Sequence, residues 1–212
     1  LVLLNGSAVA VNWAQEHAAA IVEAWYPGEE GGTAIADVLF GDYNPAGRLP
    51  VTFYKSVDDL PPFRDYAMQG RTYRYFDGEV LYPFGYGLSY TTFAYSDLTL
   101  SADTLRAGES LTVSVKVTNT GKRAGDEVVQ LYVRDVEASV PVPIRQLQGF
   151  TRIHLEPGAQ QTVTFTLAPQ QMTLVTDDGQ RVIEPGVFEV AVGGGQPGTG
   201  APVVVGTFTV VG

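Results

Sequence analysis

The chain contains no cysteine, and only His17 and His154 represent histidine among its 212 residues. Without cysteine there is no disulfide and no thiolate metal site, although this leaves the compartment open: periplasmic, secreted or cytoplasmic. Two histidines are too few for a zinc site of the usual His-rich kind, so neither metal nor cofactor is expected. Basic residues are also scarce, with 13 Lys and Arg against 23 Asp and Glu, a formal net charge of −10. Such a field repels polyanions, which argues against nucleic acid and anionic membrane as partners. No apolar run approaches the roughly 18 residues of a membrane-spanning helix. The opening LVLLNG has no basic n-region, and its apolar run is too short for a signal peptide. It reads as a buried strand entered without a lead-in, so the chain is expected to start inside a domain.

What is present is the composition of a soluble globular protein, 45% hydrophobic, 11% aromatic and 17% charged, with room for one large domain or two ordinary ones. The first part alternates strand and helix. Leu1 to Leu4 form a short apolar strand ending at Asn5-Gly6. Asn12, with Gln15 three residues on, is placed to cap a helix. Ala14, Ala18, Ile21, Val22 and Trp25 supply its apolar stripe, and Pro27-Gly28 stops it. A second helix is expected after Thr33, packing Ile35, Val38 and Leu39 and ending at Gly41. From about Phe93 the period becomes two. Leu111, Val113, Val115 and Val117 alternate with polar residues, as do Val163, Phe165 and Leu167. VVQLYV, RIHL, GVFEVAV and VVVGTFTV add strands, and about seven short strands fit an immunoglobulin-like or fibronectin-type sandwich. The fold class expected is therefore an α/β remnant, residues 1–92, followed by an all-β sandwich, residues 93–212. Both parts are acidic, with 5 basic and 11 acidic groups in the first and 8 and 12 in the second.

Candidate chemistry is sparse. Gly31-Gly32 ahead of a helix is the setting of an anion site, but a Walker loop requires Lys then Ser or Thr after its glycines, and Ala34-Ile35 follow Thr33. Glu29 and Glu30 are adjacent, so they point apart and cannot face one another across a sugar. Either can instead stabilise the positive end of the following helix. Gly6-Ser7 lacks the nucleophile elbow, and neither histidine lies in a paired motif. Asn44-Pro45 and Gly47 to Pro50 read as a fixed corner feeding the strand VTFY. Between the two parts lies an aromatic connector holding Tyr73, Tyr75, Phe76, Tyr82, Phe84, Tyr86, Tyr90, Phe93 and Tyr95. These rings either fill a seam between domains or stack on sugar. Arg71 and Arg74 are the least explained by packing, and with Tyr73 and Tyr75 they are the candidates for the rim of a substrate pocket.

Several long stretches carry a resemblance. LVLLNGSAVAVNWA, AIVEAWYPGEEGGTAIADVLFGDYNPAGRLPVTFY and GRTYRYFDGEVLYPFGYGLSYTTF, then VTNTGKRAGDEVVQLYVRD and EPGVFEVAVGG, are similar in order to the C-terminal region of glycoside hydrolase family 3, the β-glucosidases and β-xylosidases. That resemblance implies a TIM-like barrel, an α/β sandwich and a fibronectin type III-like domain. It implies a nucleophilic aspartate on the barrel and an acid/base glutamate upstream of the strand LVLLNG. Neither segment lies within these residues, so no catalytic residue is assigned here. The activity implied is retaining, exo-acting hydrolysis of terminal β-D-xylosyl or β-D-glucosyl residues in oligosaccharides or aryl glycosides. The compact connector looks closer to the β-xylosidase-like members. The implied partner is the family's barrel and upstream α/β segment. Two other roles suit the residues: a non-catalytic module that binds carbohydrate or braces a domain, and a protein-interaction sandwich of the cell-surface type.

Overall fold

A computed structural model describes residues 1–212. Strand β1 (Val2–Leu4) pairs in parallel with β2 (Ile21–Glu23), and between them lies the short helix α1 (Asn12–His17). The helix expected from Asn12 to Trp25 is therefore wrong in its second half. Ile21 and Val22 are β-branched, and they gain a ladder beside the apolar run Val2–Leu4, which is itself only partly covered, with Leu3 exposed. The 14, 18, 21, 22 spacing suits a helix stripe, but after Ala18 the chain turns extended and the same residues fill a strand. Asn12 is not a cap either: the cap position is Val11, and the Asn12 amide donates to the Lys55 carbonyl at 2.7 Å.

Helix α2 (Gly31–Phe40) follows, ending as expected at Gly41, whose φ of 85° provides the left-handed C-cap. A Cβ on Gly31 would sit 2.4 Å from Pro27 Cβ, so packing of the helix start on the preceding turn explains that glycine. Glu30 stands at the helix entrance and accepts from the Thr33 hydroxyl at 2.9 Å. A two-stranded ribbon, β3 (Phe53–Tyr54) with β4 (Val80–Tyr82), then brackets the connector, which contains the single turn α3 (Thr72–Tyr75). Phe53 is fully buried and meets Trp25 and Tyr82 edge-on at 6.1 and 5.9 Å.

The rest is a two-sheet β-sandwich. Its strands are β5 (Phe93–Leu100), β6 (Thr104–Arg106), β7 (Leu111–Asn119), β8 (Gly125–Asp135), β9 (Gln146–Leu155) and β10 (Gln160–Leu167). A small ribbon, β11 (Leu174–Val175) with β12 (Arg181–Val182), precedes β13 (Gly186–Gly193) and β14 (Val203–Val211). One sheet runs β10-β7-β5 and the other β6-β14-β13-β8-β9. All their pairings are antiparallel except β6 with β14. Leu111, Val113, Val115 and Val117 from one sheet meet Val129, Leu131, Val190 and Val192 from the other in a core of 18 buried residues. The fold class is thus an α/β remnant joined to a fibronectin type III-like sandwich.

Candidate functional site

Strands β8 and β13 break the alternation of a half-exposed sheet. From Val129 to Val133, and from Val190 to Gly193, both faces are buried. The core covers one face; the connector and the turn after α2 cover the other. Tyr132 presents its ring to this second face, and Tyr73 meets it edge-on at 6.2 Å. Tyr73 is itself stacked on Phe84 at 4.1 Å, and its hydroxyl accepts from the Leu147 amide at 3.1 Å. The aromatic connector therefore packs as a seam.

At the centre of the seam Arg48 enters from the corner after Asn44-Pro45. Its Nη2 lies 2.8 Å from Glu127 Oε2, and Nε donates to the Gly194 carbonyl at 3.2 Å. The two side chains are 10% and 3% exposed. The Tyr95 hydroxyl donates to the other Glu127 oxygen at 2.7 Å. Beside them the Gln130 amide donates to the carbonyls of Gly85 and Gly194, and the Tyr132 hydroxyl donates to Gln130 Oε1. Burial pushes the Glu127 carboxyl up from its ordinary value, while Arg48 and Tyr95 pull it down. Burial likewise raises the Tyr95 phenol, and Glu127 raises it further, so it stays a donor. Asn44 completes the clasp. It donates to the Ala124 carbonyl at 2.9 Å and accepts from Ser89 Oγ and the Tyr90 amide at 3.0 and 2.8 Å. Gly87 passes so close to the corner that a Cβ would lie 2.0 Å from the Gly47 carbonyl oxygen.

The four candidate rim residues do not form one cluster. Arg71 turns back on its own loop, donating to the carbonyls of Ala67, Pro62 and Asp65 at 3.1, 3.2 and 2.5 Å. Arg74 lies over the Tyr73 ring at 5.9 Å, and its carbonyl accepts from the Ile144 amide. Tyr75 is half-buried and closes the α3 turn through its amide to Arg71. Tyr73 alone lines a cavity of about 240 Å³, with Thr52, Asp77, Arg145 and Gln196 among the other walls. That cavity contains a single carboxyl, Asp77.

His17 stacks on Trp13 at 4.5 Å, and His154 Nδ1 lies 2.6 Å from Asp126 Oδ1 beside Arg152. Both histidines therefore have surface packing roles. Sequence reasoning missed Arg48, Glu127, Gln130 and Gly194. The available signal was the polar pair Glu127 and Gln130 inside a strand whose Val128 to Val133 is otherwise apolar or aromatic.

Family models match both parts of the chain. Residues 1–90 match the glycosyl hydrolase family 3 C-terminal domain, and residues 127–196 match a fibronectin type III-like domain. The chain belongs to glycoside hydrolase family 3. This family 3 chain is 47% identical over 205 residues to a periplasmic beta-glucosidase of Salmonella typhimurium. It is 46% identical over 190 residues to a xylan 1,4-beta-xylosidase of Xylanibacter ruminicola. The first match covers 91% of this chain and 27% of the relative, the second 89% and 22%. The chain thus spans about a quarter of the length of these relatives. Among solved structures it is similar to the beta-glucosidase of Listeria innocua in complex with glucose. The TM-score is 0.86 at 33% identity, covering 99% of this chain and 30% of that one.

Proposed function

We propose that this chain is the C-terminal part of a retaining, exo-acting β-glycosidase that releases terminal β-D-xylosyl or β-D-glucosyl residues. The supporting observation is that a β-glucosidase and a β-xylosidase match it almost equally well along nearly its whole length, each over about a quarter of its own. Retaining hydrolysis uses two carboxyl groups about 5–5.5 Å apart, one as nucleophile and one as acid/base. The 240 Å³ cavity offers only Asp77, and Glu29 and Glu30 flank a helix entrance, so the reacting carboxyls belong to other parts of the enzyme.

In this reading residues 1–92 close the α/β sandwich and form the connector, and residues 93–212 are the fibronectin type III-like domain. The barrel and the upstream α/β segment are the partners. The α/β part supports this. Its sheet is a bare parallel pair, whereas parallel sheets are covered on both faces. A groove of about 470 Å³ runs between β2 and α2 over Val22, Ile35 and Val38. Trp13 and Phe40 are also open, at 70% and 84% exposed. The substrate is a β-linked oligosaccharide or aryl glycoside, and the proposed rim residues Arg71, Tyr73, Arg74 and Tyr75 all belong to the connector turn at α3. The test is turnover of aryl β-xyloside and aryl β-glucoside. The full-length gene product is expected to hydrolyse at least one, and purified residues 1–212 neither. Inactivity of the full-length protein on every aryl glycoside, or turnover by the 212-residue chain, would overturn the reading.

Within that enzyme this chain acts as a brace rather than as a sugar-stacking surface. The faces of Tyr73 are already taken by Phe84 and Arg74. Titration with xylo- or cello-oligosaccharides separates the two roles. Saturable binding abolished by Tyr73→Ala, with the fold intact by circular dichroism, would favour a binding module.

A further inference from the structure

The cavity beside Tyr73 has features that neither bracing nor β-glycoside hydrolysis uses. Phe76, Val80, Pro83 and Ile144 form its apolar side. Its polar side holds three groups without the partners that burial demands. Thr52 and Gln196 are each only 8% exposed, yet Thr52 Oγ1 and Gln196 Oε1 make no hydrogen bond. Arg145 is half-buried and joins none of the ion pairs in the molecule. Its guanidinium lies over the loop at Gly198, where a Cβ would come within 3.9 Å of Nη2. Burial first, then the like charge of Arg134, holds the Arg145 guanidinium below its ordinary value.

A buried polar group left unpaired is costly, and an unpaired charge more so. Water occupies polar cavities and can satisfy a hydroxyl or an amide oxygen. It leaves a desolvated guanidinium without a counter-charge, which a carboxylate supplies in the geometry guanidinium prefers. Asp77 does not fill that role, because it is exposed and makes no ion pair with Arg145. The volume is below the roughly 300 Å³ at which pockets for drug-sized ligands begin, so a single ring suits it better than an oligosaccharide.

We infer that this cavity binds one ring of a sugar acid. The ligand's carboxylate pairs with Arg145, its hydroxyls meet Thr52, Gln196 and Asp77, and its apolar edge lies on Phe76 and Pro83. The inference stands or falls independently of the β-glycosidase reading.

Isothermal titration of the full-length protein with glucuronate, xylose and inorganic phosphate tests it, with aryl-glycoside turnover followed alongside. Glucuronate is expected to saturate one site per chain, with xylose and phosphate each weaker by about tenfold or more. Arg145→Gln should weaken glucuronate by a similar factor and leave turnover unchanged. Thr52→Val should also weaken glucuronate while raising the ligand-free melting temperature, because it removes an unpaired hydroxyl. A purely structural threonine would not give that opposite pair of shifts. Absence of saturation by glucuronate overturns the inference, as does xylose or phosphate binding equally well. Glucuronate binding that survives Arg145→Gln places the ligand elsewhere and overturns it too.

Discussion

Arg48 shows how one side chain converts a surface corner into a buried joint. It sits in a Gly-Arg-Leu-Pro stretch that reads as turn chemistry, yet its guanidinium is almost wholly enclosed against Glu127. Removing one member of a buried pair leaves the other charged and uncompensated, at a cost of about 3–5 kcal/mol. Arg48→Met should therefore lower unfolding stability by that order in denaturant titration. The loss should also depend on pH. In the variant only the Tyr95 hydrogen bond still opposes the burial that raises Glu127, so the folded state holds that proton further above the ordinary carboxylate range than wild type does. Stability then falls as pH rises through the ordinary value toward the raised one, and the gap from wild type widens over that interval. An equal gap at pH 4 and pH 7 would contradict the assignment. A second residue-scale effect sits at His154. The hydrogen bond to Asp126 raises its imidazole above the ordinary value. Burial raises Asp126, but His154 and Arg152 outweigh it, and the carboxyl lies below its ordinary value. The contact is thus complete below about pH 6.5 and fades as pH rises through the raised histidine value; at the acid end it fades as Asp126 protonates. The melting temperatures of wild type and His154→Gln should converge between pH 6 and pH 9. A constant difference across that range would show that the pair contributes nothing.

At the scale of elements, the sequence was legible wherever one face of an element is wet. The alternation in Leu111 to Val117 placed β7 because its partner face is solvent, and α2 was legible from its stripe and Gly41. Legibility failed where an element is very short. Ile21 to Glu23 spans three residues, too few for period two to show, and its apolar residues also fit a helical spacing. The single turn at α3 was invisible because contacts made far along the chain hold it, among them the Ile144 amide to the Arg74 carbonyl. The same reasoning predicts which glycines are fixed. Gly41→Ala places a Cβ at a φ of 85° and 3.3 Å from Arg123 Nη1, so it should destabilise by about 1 kcal/mol. Gly87→Ala must displace backbone at Gly47, and a loss of about 1–3 kcal/mol is expected. Thermal denaturation of both variants checks the order, and a Gly87→Ala protein more stable than Gly41→Ala would refute the close approach.

For the whole molecule, the seam determines whether the α/β part and the sandwich behave as one body. The candidate site was only partly legible for the same reason: the connector aromatics announced a seam, but the groups that face them across it lie more than thirty residues later along the chain. Tyr73 was singled out for sugar stacking, yet its ring is spent on Phe84 and Tyr132; Arg145 and Gln196 sit in loops with no local pattern. Asn44 is the residue through which the corner grips the sandwich, with one bond to Ala124 and two back to the connector. Asn44→Ala removes all three at once and leaves the Ala124 carbonyl without that donor, at a cost of about 1–3 kcal/mol. If the seam makes one cooperative unit, the loss must appear on both sides of it. Native-state hydrogen exchange of the full-length protein should then show amides of β2 and α2 and amides of β8 and β13 losing protection together and by similar amounts. Loss confined to β2 and α2, with β8 and β13 unchanged, would mean that the sandwich is an independent unit that only leans on its neighbour.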